Sequence, residues 1–230
     1  MRKMIWAFAF LLIAVTCFCD SPPPSLNYRT TVKMETPEGL RTFSVVRKVT
    51  SSSETSFFPG QGGTVYFISG QALILDIENR CIVFGLMRDD YSYPRELRIF
   101  PEREKTPIGK KAILAPDKYP MFVRFRDLKD PKTVEKVYGR KIYDEEGNYI
   151  EKQKILMDRF EEVCGSGVKL KEMSVEIIEA PVTTGITNTL PWLLTMRGTL
   201  AGTGGLKMGR QLHQQLDTKQ FVMGIERNNR

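Results

Sequence analysis

The chain contains a single histidine, His213, which any Ser-His-Asp or Cys-His site would have to use as its base. It follows Leu212 within residues 206–216, whose apolar spacing predicts an amphipathic terminal helix. The next two residues, Gln214 and Gln215, are neither nucleophiles nor acids. We therefore interpret His213 as a surface or partly packed side chain.

The segment Gly202-Thr203-Gly204-Gly205 invites comparison with phosphate-binding loops. Its spacing fits neither GxGxxG nor GxxxxGK[ST], and no strand clearly precedes it, so we interpret it as a plain loop. The chain also lacks a CxxC motif and a Cys/His cluster, which argues against a zinc site. We expect no cofactor and no metal.

Carboxylates occur in neighbouring pairs at Asp89-Asp90 and Glu161-Glu162. A glycosidase needs two acids facing each other across a cleft, and adjacency in sequence does not report that arrangement. Asp127 and Asp130 flank a predicted strand end, but their spacing is not that of a calcium-binding loop. Helix capping explains Asp130 without a metal. We therefore assign no catalytic residue.

The stretch PVTTGITNTLPWL, residues 181–193, is the best candidate for a binding loop. Thr183 and Thr184 offer hydroxyl groups, and Gly185 offers a permissive backbone. Trp192 is open to two interpretations. It is either an exposed anchor for a partner, since tryptophan concentrates binding energy, or a plug that fills the core where the loop folds back.

Residues 1–19 begin with Met1-Arg2-Lys3 and continue as sixteen largely apolar residues to Cys19. A short basic start, an apolar stretch and small residues near its end are typical of a secretory signal. As a helix the stretch reaches about 24 Å, which is short of a hydrocarbon core of about 30 Å. We predict export, with an uncleaved membrane anchor as an alternative.

Cys17 stands where a bacterial lipoprotein signal has the cysteine that becomes lipidated. Thr16 precedes it, where such signals usually have Gly or Ala, and Cys19 fits less well because Phe18 precedes it. We predict lipidation at Cys17, with soluble export to the periplasm as the alternative. Residues 20–27 are rich in proline and predict a stiff tether, and residues 28–230 predict a single β-rich domain.

The net charge of the 230-residue chain is +7, and residues 1–19 carry two of these positive charges, which leaves +5 for the exported part. That charge is moderate and well mixed with acidic residues, so nucleic acid is not an expected partner of an exported protein. Weak attraction to an anionic membrane is a more economical interpretation. The expected partners are the membrane, through the lipid or the signal anchor, and an envelope protein.

Two cysteines, Cys81 and Cys164, lie outside the signal. An oxidising compartment permits a disulfide between them, but sequence does not show whether they meet. Because Cys81 lies in an apolar, strand-like run, a buried free thiol is also a reasonable interpretation, and it is the one we favour over the disulfide.

Residues 28–50 predict a β-hairpin, because apolar and polar residues alternate on both sides of the turn Pro37-Glu38-Gly39. Further predicted strands are 64–69, 71–77, 81–87, 121–126 and 168–178. Met121, Val123 and Phe125 should share a buried face of their strand, opposite a mostly wet face with Phe122, Arg124 and Arg126.

Asp130 and Pro131 predict the start of a short helix over 132–137. Residues 138–156 predict an inserted hairpin or a charged loop, and 155–164 a helical turn. The fold class predicted is mainly β, an antiparallel, sandwich-like domain with two or three short helices.

Three motifs suggest a family: ETPEG between two strands, FVRFRDLKDPKTVEKV, and GSGVKLKEMSVEIIEAPVTTGITNTLPWL. With them the chain resembles a group of uncharacterised bacterial cell-envelope proteins, lipoproteins or exported proteins, over most of residues 28–193. The resemblance implies an envelope location and no particular activity. The function expected is non-catalytic binding or scaffolding in the envelope, and the alternative is an exported hydrolase with a carboxylate-based site.

Overall fold

The computed structural model describes residues 25–54, 63–88, 100, 105–140, 156–202 and 211–224. Over these ranges the chain is mainly β and forms two antiparallel sheets with three short helices, which confirms the predicted fold class. The predicted signal and Cys17 lie outside the described residues. No helix among the described residues combines the length and the apolar character needed to span a bilayer.

The strands follow one another along the chain as β1 (Ser25–Thr36), β2 (Gly39–Glu54), β3 (Gly63–Gln71), β4 (Leu73–Ile77), β5 (Cys81–Gly85), β6 (Lys111–Ile113), β7 (Phe122–Phe125), β8 (Val134–Arg140), β9 (Leu156–Asp158), β10 (Lys169–Ile178) and β11 (Val222–Met223). The helices are α1 (Phe160–Cys164), α2 (Ile186–Thr189) and α3 (Leu212–Gln215). The larger sheet has the order β11-β3-β2-β1-β10-β6, and the smaller one β4-β5-β7-β8-β9.

The predicted hairpin is confirmed as β1 and β2, which pair from Thr36 opposite Gly39 to Ser25 opposite Thr50. Alternate residues of β1 are buried, because one face of the strand packs on the core. Both strands of the hairpin extend further from the turn than predicted. Residues 25–27, assigned to the tether, belong to β1, and β2 continues to Glu54, through the first part of the predicted loop.

The smaller sheet has a hydrophobic core on each face. Successive side chains of a strand point to opposite faces, so Val83 of β5 packs between the two sheets and Phe84 packs on the far side. The far core is closed by the C-terminal segments, which contribute Ile186, Leu193 and Phe221. The molecule therefore has three layers: the larger sheet, the smaller sheet and the C-terminal segments.

The smaller sheet corrects two predictions about its central strands. The face of β7 predicted to be mostly wet carries Phe122, which is fully buried between the sheets. Residues 134–137, predicted as part of a helix, belong to β8, which pairs with β7 from Val134 opposite Phe125 to Tyr138 opposite Phe122. Sheet pairing prevails there because the β-branched and aromatic residues of this segment suit a buried strand.

The capping prediction at Asp130 is correct, although the helix is a single 3-10 turn. The Asp130 side chain accepts a hydrogen bond from the Lys132 N–H, and Pro131 begins the turn. Near the C terminus the predicted helix 206–216 is also shorter, since α3 covers only Leu212–Gln215 and residues 203–210 lie outside the described part.

Strand β10 agrees with prediction. The predicted helical turn 155–164 is confirmed only over α1, because residues 156–158 pair with β8 as strand β9. Met173, Val175 and Ile177 of β10 are buried on one face. Strands β8 and β9 pair antiparallel, with Arg140 opposite Leu156. This is the pairing expected at the two ends of the predicted inserted hairpin. Residues 141–155 between them lie outside the described residues.

Arg47 of β2 is fully buried between the two sheets. It lies opposite Tyr28, which places it on the inner face of the larger sheet. Its Nε donates to the Gln71 carbonyl at 2.9 Å and its Nη2 to the Gly85 carbonyl at 3.3 Å. The second bond joins β2 of one sheet to β5 of the other. Gly70 is required beside it, because a Cβ there would lie 3.0 Å from the Arg47 Cγ.

We predict that Arg47→Met lowers the free energy of unfolding by about 2–4 kcal/mol, because it leaves two buried carbonyl oxygens without their donors. Urea denaturation followed by circular dichroism measures the change. The matched control is Arg29→Met on the outer face, where the ion pair with Glu176 is partly exposed. We expect the control to lose less than about 1 kcal/mol, and equal losses in the two variants would contradict the prediction.

Candidate functional site

The principal cavity of the described residues has a volume of about 630 Å³ and lies at the end of the larger sheet where β1 begins. Leu26 of β1, Val49 of β2 and Ile177 of β10 line it. Leu26 and Val49 are directly opposite each other, so their side chains share one face of the sheet. Ile108, which is 61% exposed, also lines the cavity and extends its apolar wall outwards.

Polar groups surround these apolar walls, and several already have structural roles. The Asn27 Nδ2 donates to the Ala180 carbonyl at 2.7 Å and so fixes the start of the candidate loop against the sheet. Lys48 of β2 and Glu179, just beyond β10, also line the cavity. Lys48 is half-buried, and no described carboxylate pairs with its ammonium group. The cavity is therefore largely apolar, with one available cation in its lining.

The candidate loop leaves the cavity at Ala180 and Pro181 and then crosses to the outer edge of β2. The Thr183 N–H donates to the Val46 carbonyl at 3.0 Å, and the Val46 N–H donates to the Thr183 Oγ1 at 2.9 Å. Thr183 thus acts as a short strand-like partner of β2. Thr184 is exposed.

Gly185 adopts a φ of 113°, a left-handed conformation that favours glycine, just before α2. The first N–H of that helix, at Ile186, donates to the Gln71 Oε1 at 2.8 Å. Gln71 is the residue whose carbonyl accepts from Arg47. The loop is therefore joined to the same buried network that connects the sheets.

Trp192 packs in the core on the far side of the smaller sheet. Its ring meets Phe125 edge-on at 5.4 Å and Phe221 at 6.0 Å between centroids. Its Nε1 donates to the Leu128 carbonyl at 2.9 Å. These contacts are those of a core plug. Neither Trp192 nor the residues Thr183, Thr184 and Gly185 line the cavity, so the four candidate residues do not form one site.

The carboxylates singled out in the sequence serve local structure. The Asp127 Oδ1 accepts from the Lys129 N–H and the Asp130 Oδ1 accepts from the Lys132 N–H, both at 2.9 Å. Arg159 pairs with Glu162 and lowers the pKa of that carboxyl. Among the described residues, no group of three or more His, Cys, Asp or Glu side chains is placed to hold a metal.

The other chemistry-bearing candidates are not brought together by the fold. Glu161 lies on α1, where its Oε1 accepts from the Gly167 N–H at 3.1 Å. His213 is half-buried on α3. Asp89, Asp90 and residues 203–205 lie outside the described residues.

The two cysteines outside the signal form a disulfide. Cys81 begins β5 and Cys164 ends α1, and their Cα atoms are 5.2 Å apart although 83 residues separate them in sequence. The bridge therefore fastens the start of β5, next to the edge strand β4, to the helix that leads into β10. Of the two interpretations left open by the sequence, the disulfide is the one observed, so the favoured free thiol is wrong.

A polar cavity of about 460 Å³ lies at the opposite end of β1, beside the hairpin turn. Arg80 and Glu38 line it, and the Arg80 Nη2 donates to the Glu38 Oε1 at 2.6 Å. This bond lowers the pKa of Glu38 to about 2, well below its ordinary value. Because the folded-state pKa is lowered, the pair stabilises the fold above the ordinary carboxyl range and loses that effect as the pH falls towards 2.

Sequence reasoning missed the principal cavity. Its walls come from residues near positions 26, 49, 108 and 177, which are far apart in the chain and meet only through the register of the sheet. The one local signal was Ile108, an apolar residue between Pro107 and Gly109 in a charged, proline-rich connection.

We predict that Trp192→Ala lowers the free energy of unfolding by about 2–4 kcal/mol, because it removes a ring packed against two aromatic neighbours. Leu194→Ala is the matched control in the same 3-10 turn, since Leu194 is 51% exposed. We expect the control to change stability by no more than about 0.5 kcal/mol in urea denaturation. A small loss for Trp192→Ala would instead favour the partner-anchor interpretation.

We also predict a midpoint near pH 2 for the Glu38 carboxyl in a carbon-13 NMR titration, because Arg80 stabilises its charged form. Arg80→Gln should raise the midpoint towards the ordinary glutamate value of about 4.3, because the largest cause of the lowered pKa is lost. Arg41→Gln is the control, since Arg41 pairs with Glu78 at 3.8 Å rather than with Glu38. An unchanged midpoint in Arg80→Gln would show that this ion pair is not what lowers the pKa.

Comparison of the chain with models of protein families, with curated proteins and with solved structures yields no match. The resemblance to cell-envelope lipoproteins drawn from the three sequence motifs therefore stays a prediction. What the chain does has to be argued from its own cavity, disulfide and charges.

Proposed function

We propose that the chain is an exported cell-envelope protein, held at a membrane by a lipid on Cys17, whose work is non-catalytic binding through the principal cavity. The observation that carries this proposal is the position of the cavity. It opens beside Ser25, the first described residue, which follows the predicted lipidation site by eight residues in the sequence. A cavity of about 630 Å³ is within the usual range for sites that enclose a small ligand.

The disulfide supports the exported location. Disulfides persist in oxidising compartments such as the bacterial periplasm and are rare in the cytosol, where thiols are kept reduced. Cys164 is 3% exposed, so its sulfur is part of the core rather than a reactive surface group. The Cys81–Cys164 bridge therefore suits a structural crosslink in an exported domain.

The carboxylates support binding over hydrolysis. A hydrolase of the carboxylate type uses a general acid whose pKa is raised so that it carries a proton at neutral pH. The described carboxyl groups with a clearly displaced pKa are Glu38, Asp117 and Glu162, and all three are lowered. In each the main cause is a hydrogen bond from an arginine or lysine side chain, which favours the charged form.

We predict that protein purified from the envelope begins at Cys17 and carries diacylglycerol there, because Cys17 stands where a lipoprotein signal has its lipidated cysteine. Intact-mass and peptide mass spectrometry of the N terminus measure this directly. Cys17→Ser should lose the lipid, whereas the neighbouring control Cys19→Ser should keep it. Recovery of the unmodified chain from the cytosol with Met1 intact would contradict the proposal.

A further inference from the structure

The register of the larger sheet places the principal cavity beside the start of β1, which follows the predicted lipidation site in the chain. Ser25 of β1 is opposite Thr50 of β2, and Thr50 is opposite Phe67 of β3, so the three residues form one row at the start of β1. The pairing of β2 with β3 continues beyond this row to Glu54 opposite Gly63. The eight residues from Cys17 to Ser25 span at most about 29 Å when fully extended. A lipid on Cys17 therefore keeps this row, and the cavity beside it, within that distance of the bilayer.

Large apolar side chains are exposed at the same end of the domain. Tyr66 of β3 is 36% exposed and lines the cavity. Its neighbour Phe67 is 54% exposed but does not line the cavity, because successive side chains of a strand point to opposite faces. Ile108, on the other wall, is 61% exposed. Exposed apolar residues grouped around a cavity mark an interaction site more strongly than the same residues scattered singly.

The charges around the cavity favour an anionic group at its mouth. Lys48 lines the cavity without a described carboxylate partner. Lys110 and Lys111 are exposed on the segment that pairs with the end of β10. The acid in the lining is Glu179, which is exposed to solvent. The residue opposite Lys111 in the register is Glu176, which already pairs with Arg29. Three lysines and Arg29 against these two glutamates give this end of the domain a positive balance.

The interior of the cavity suits a hydrocarbon chain, which makes no hydrogen bonds. Leu26, Val49, Ile108 and Ile177 provide apolar walls, and the Asn27 amide is already bonded to Ala180. A polar ligand such as a sugar would need several convergent donors and acceptors to replace its water shell. A hydrocarbon chain needs only apolar surface, and burial of each methylene group favours binding.

We propose that the principal cavity takes an acyl chain of a membrane phospholipid, with the lipid phosphate next to Lys48. This inference rests on the proposed function, because the lipid anchor is what brings the cavity to the bilayer. It assigns the cavity a ligand class: a phospholipid with an anionic headgroup, drawn partly out of the membrane to which the protein is attached.

Photo-crosslinking in vesicles tests the inference. The protein purified with its native N terminus is added to vesicles of phosphatidylethanolamine and phosphatidylglycerol, in which some of the phosphatidylglycerol carries a diazirine midway along one acyl chain. After illumination, peptide mass spectrometry locates the crosslinks. We expect them in the peptides that contain Leu26, Val49 or Ile177, whose side chains line the cavity.

Two isoleucines provide a matched pair of variants. Ile108→Asp places a charge in the cavity wall and should reduce the crosslink yield about tenfold, because an acyl chain cannot bind beside an unpaired carboxylate without loss of affinity. Ile113→Asp is the control. Ile113 is 62% exposed, close to the 61% of Ile108, but does not line the cavity. Thermal denaturation of both variants verifies that they fold.

Equal yields from Ile108→Asp and the wild type, or an equal fall in both variants, would overturn the inference. Vesicle flotation separates this result from failure of the proposed function. Protein that floats with vesicles but gives no crosslink in the cavity retains its anchor and lacks the lipid site. For protein that does not float, a lysophosphatidylglycerol with the same diazirine reaches the cavity from solution, and absence of a cavity crosslink then overturns the inference.

Discussion

The buried guanidinium of Arg47 is the constraint on which the rest of the structure depends. A charged group removed from water has to satisfy its donors with fixed acceptors, and here two of these are main-chain carbonyls at the ends of β3 and β5. Those ends therefore have to lie where the guanidinium reaches them. The bonds set the position of the smaller sheet over the larger one more strictly than apolar packing alone, which is not directional.

The same buried network extends to the loop that sequence reasoning singled out. Gln71 accepts from Arg47 through its carbonyl and from Ile186 through its side chain, and Thr183 bonds to β2. The hydroxyl, glycine and tryptophan chemistry that suggested a binding loop is therefore used to close the far core. The part of that segment available to a ligand is its beginning, Ala180 and Pro181, at the cavity.

The fold class and most positions of the strands along the sequence could be predicted. The alternation of apolar and polar residues shows directly that one face of a strand is buried. The β1–β2 hairpin and β10 both follow this rule. Prediction failed where a helix-capping signal was followed by residues that favour a strand. Asp130 and Pro131 begin only one 3-10 turn, and the chain enters β8 at Val134. Arg47 carried a signal that was overlooked, since it alternates with Val45 and Val49 on the buried face. The cavity and the cysteine pair depend on long-range register, which local patterns do not encode.

The central position of β1 has a consequence for how the chain reaches its native state. This strand is among the first to be synthesised, yet one of its two neighbours is β10, and Arg29 meets Glu176 across 147 residues of sequence. Such a high contact order slows folding, because a long loop must close before the central pairing stabilises anything. At about 5–20 residues per second, a ribosome takes several seconds to supply the missing partner. Throughout that interval one edge of β1 lacks its native strand partner.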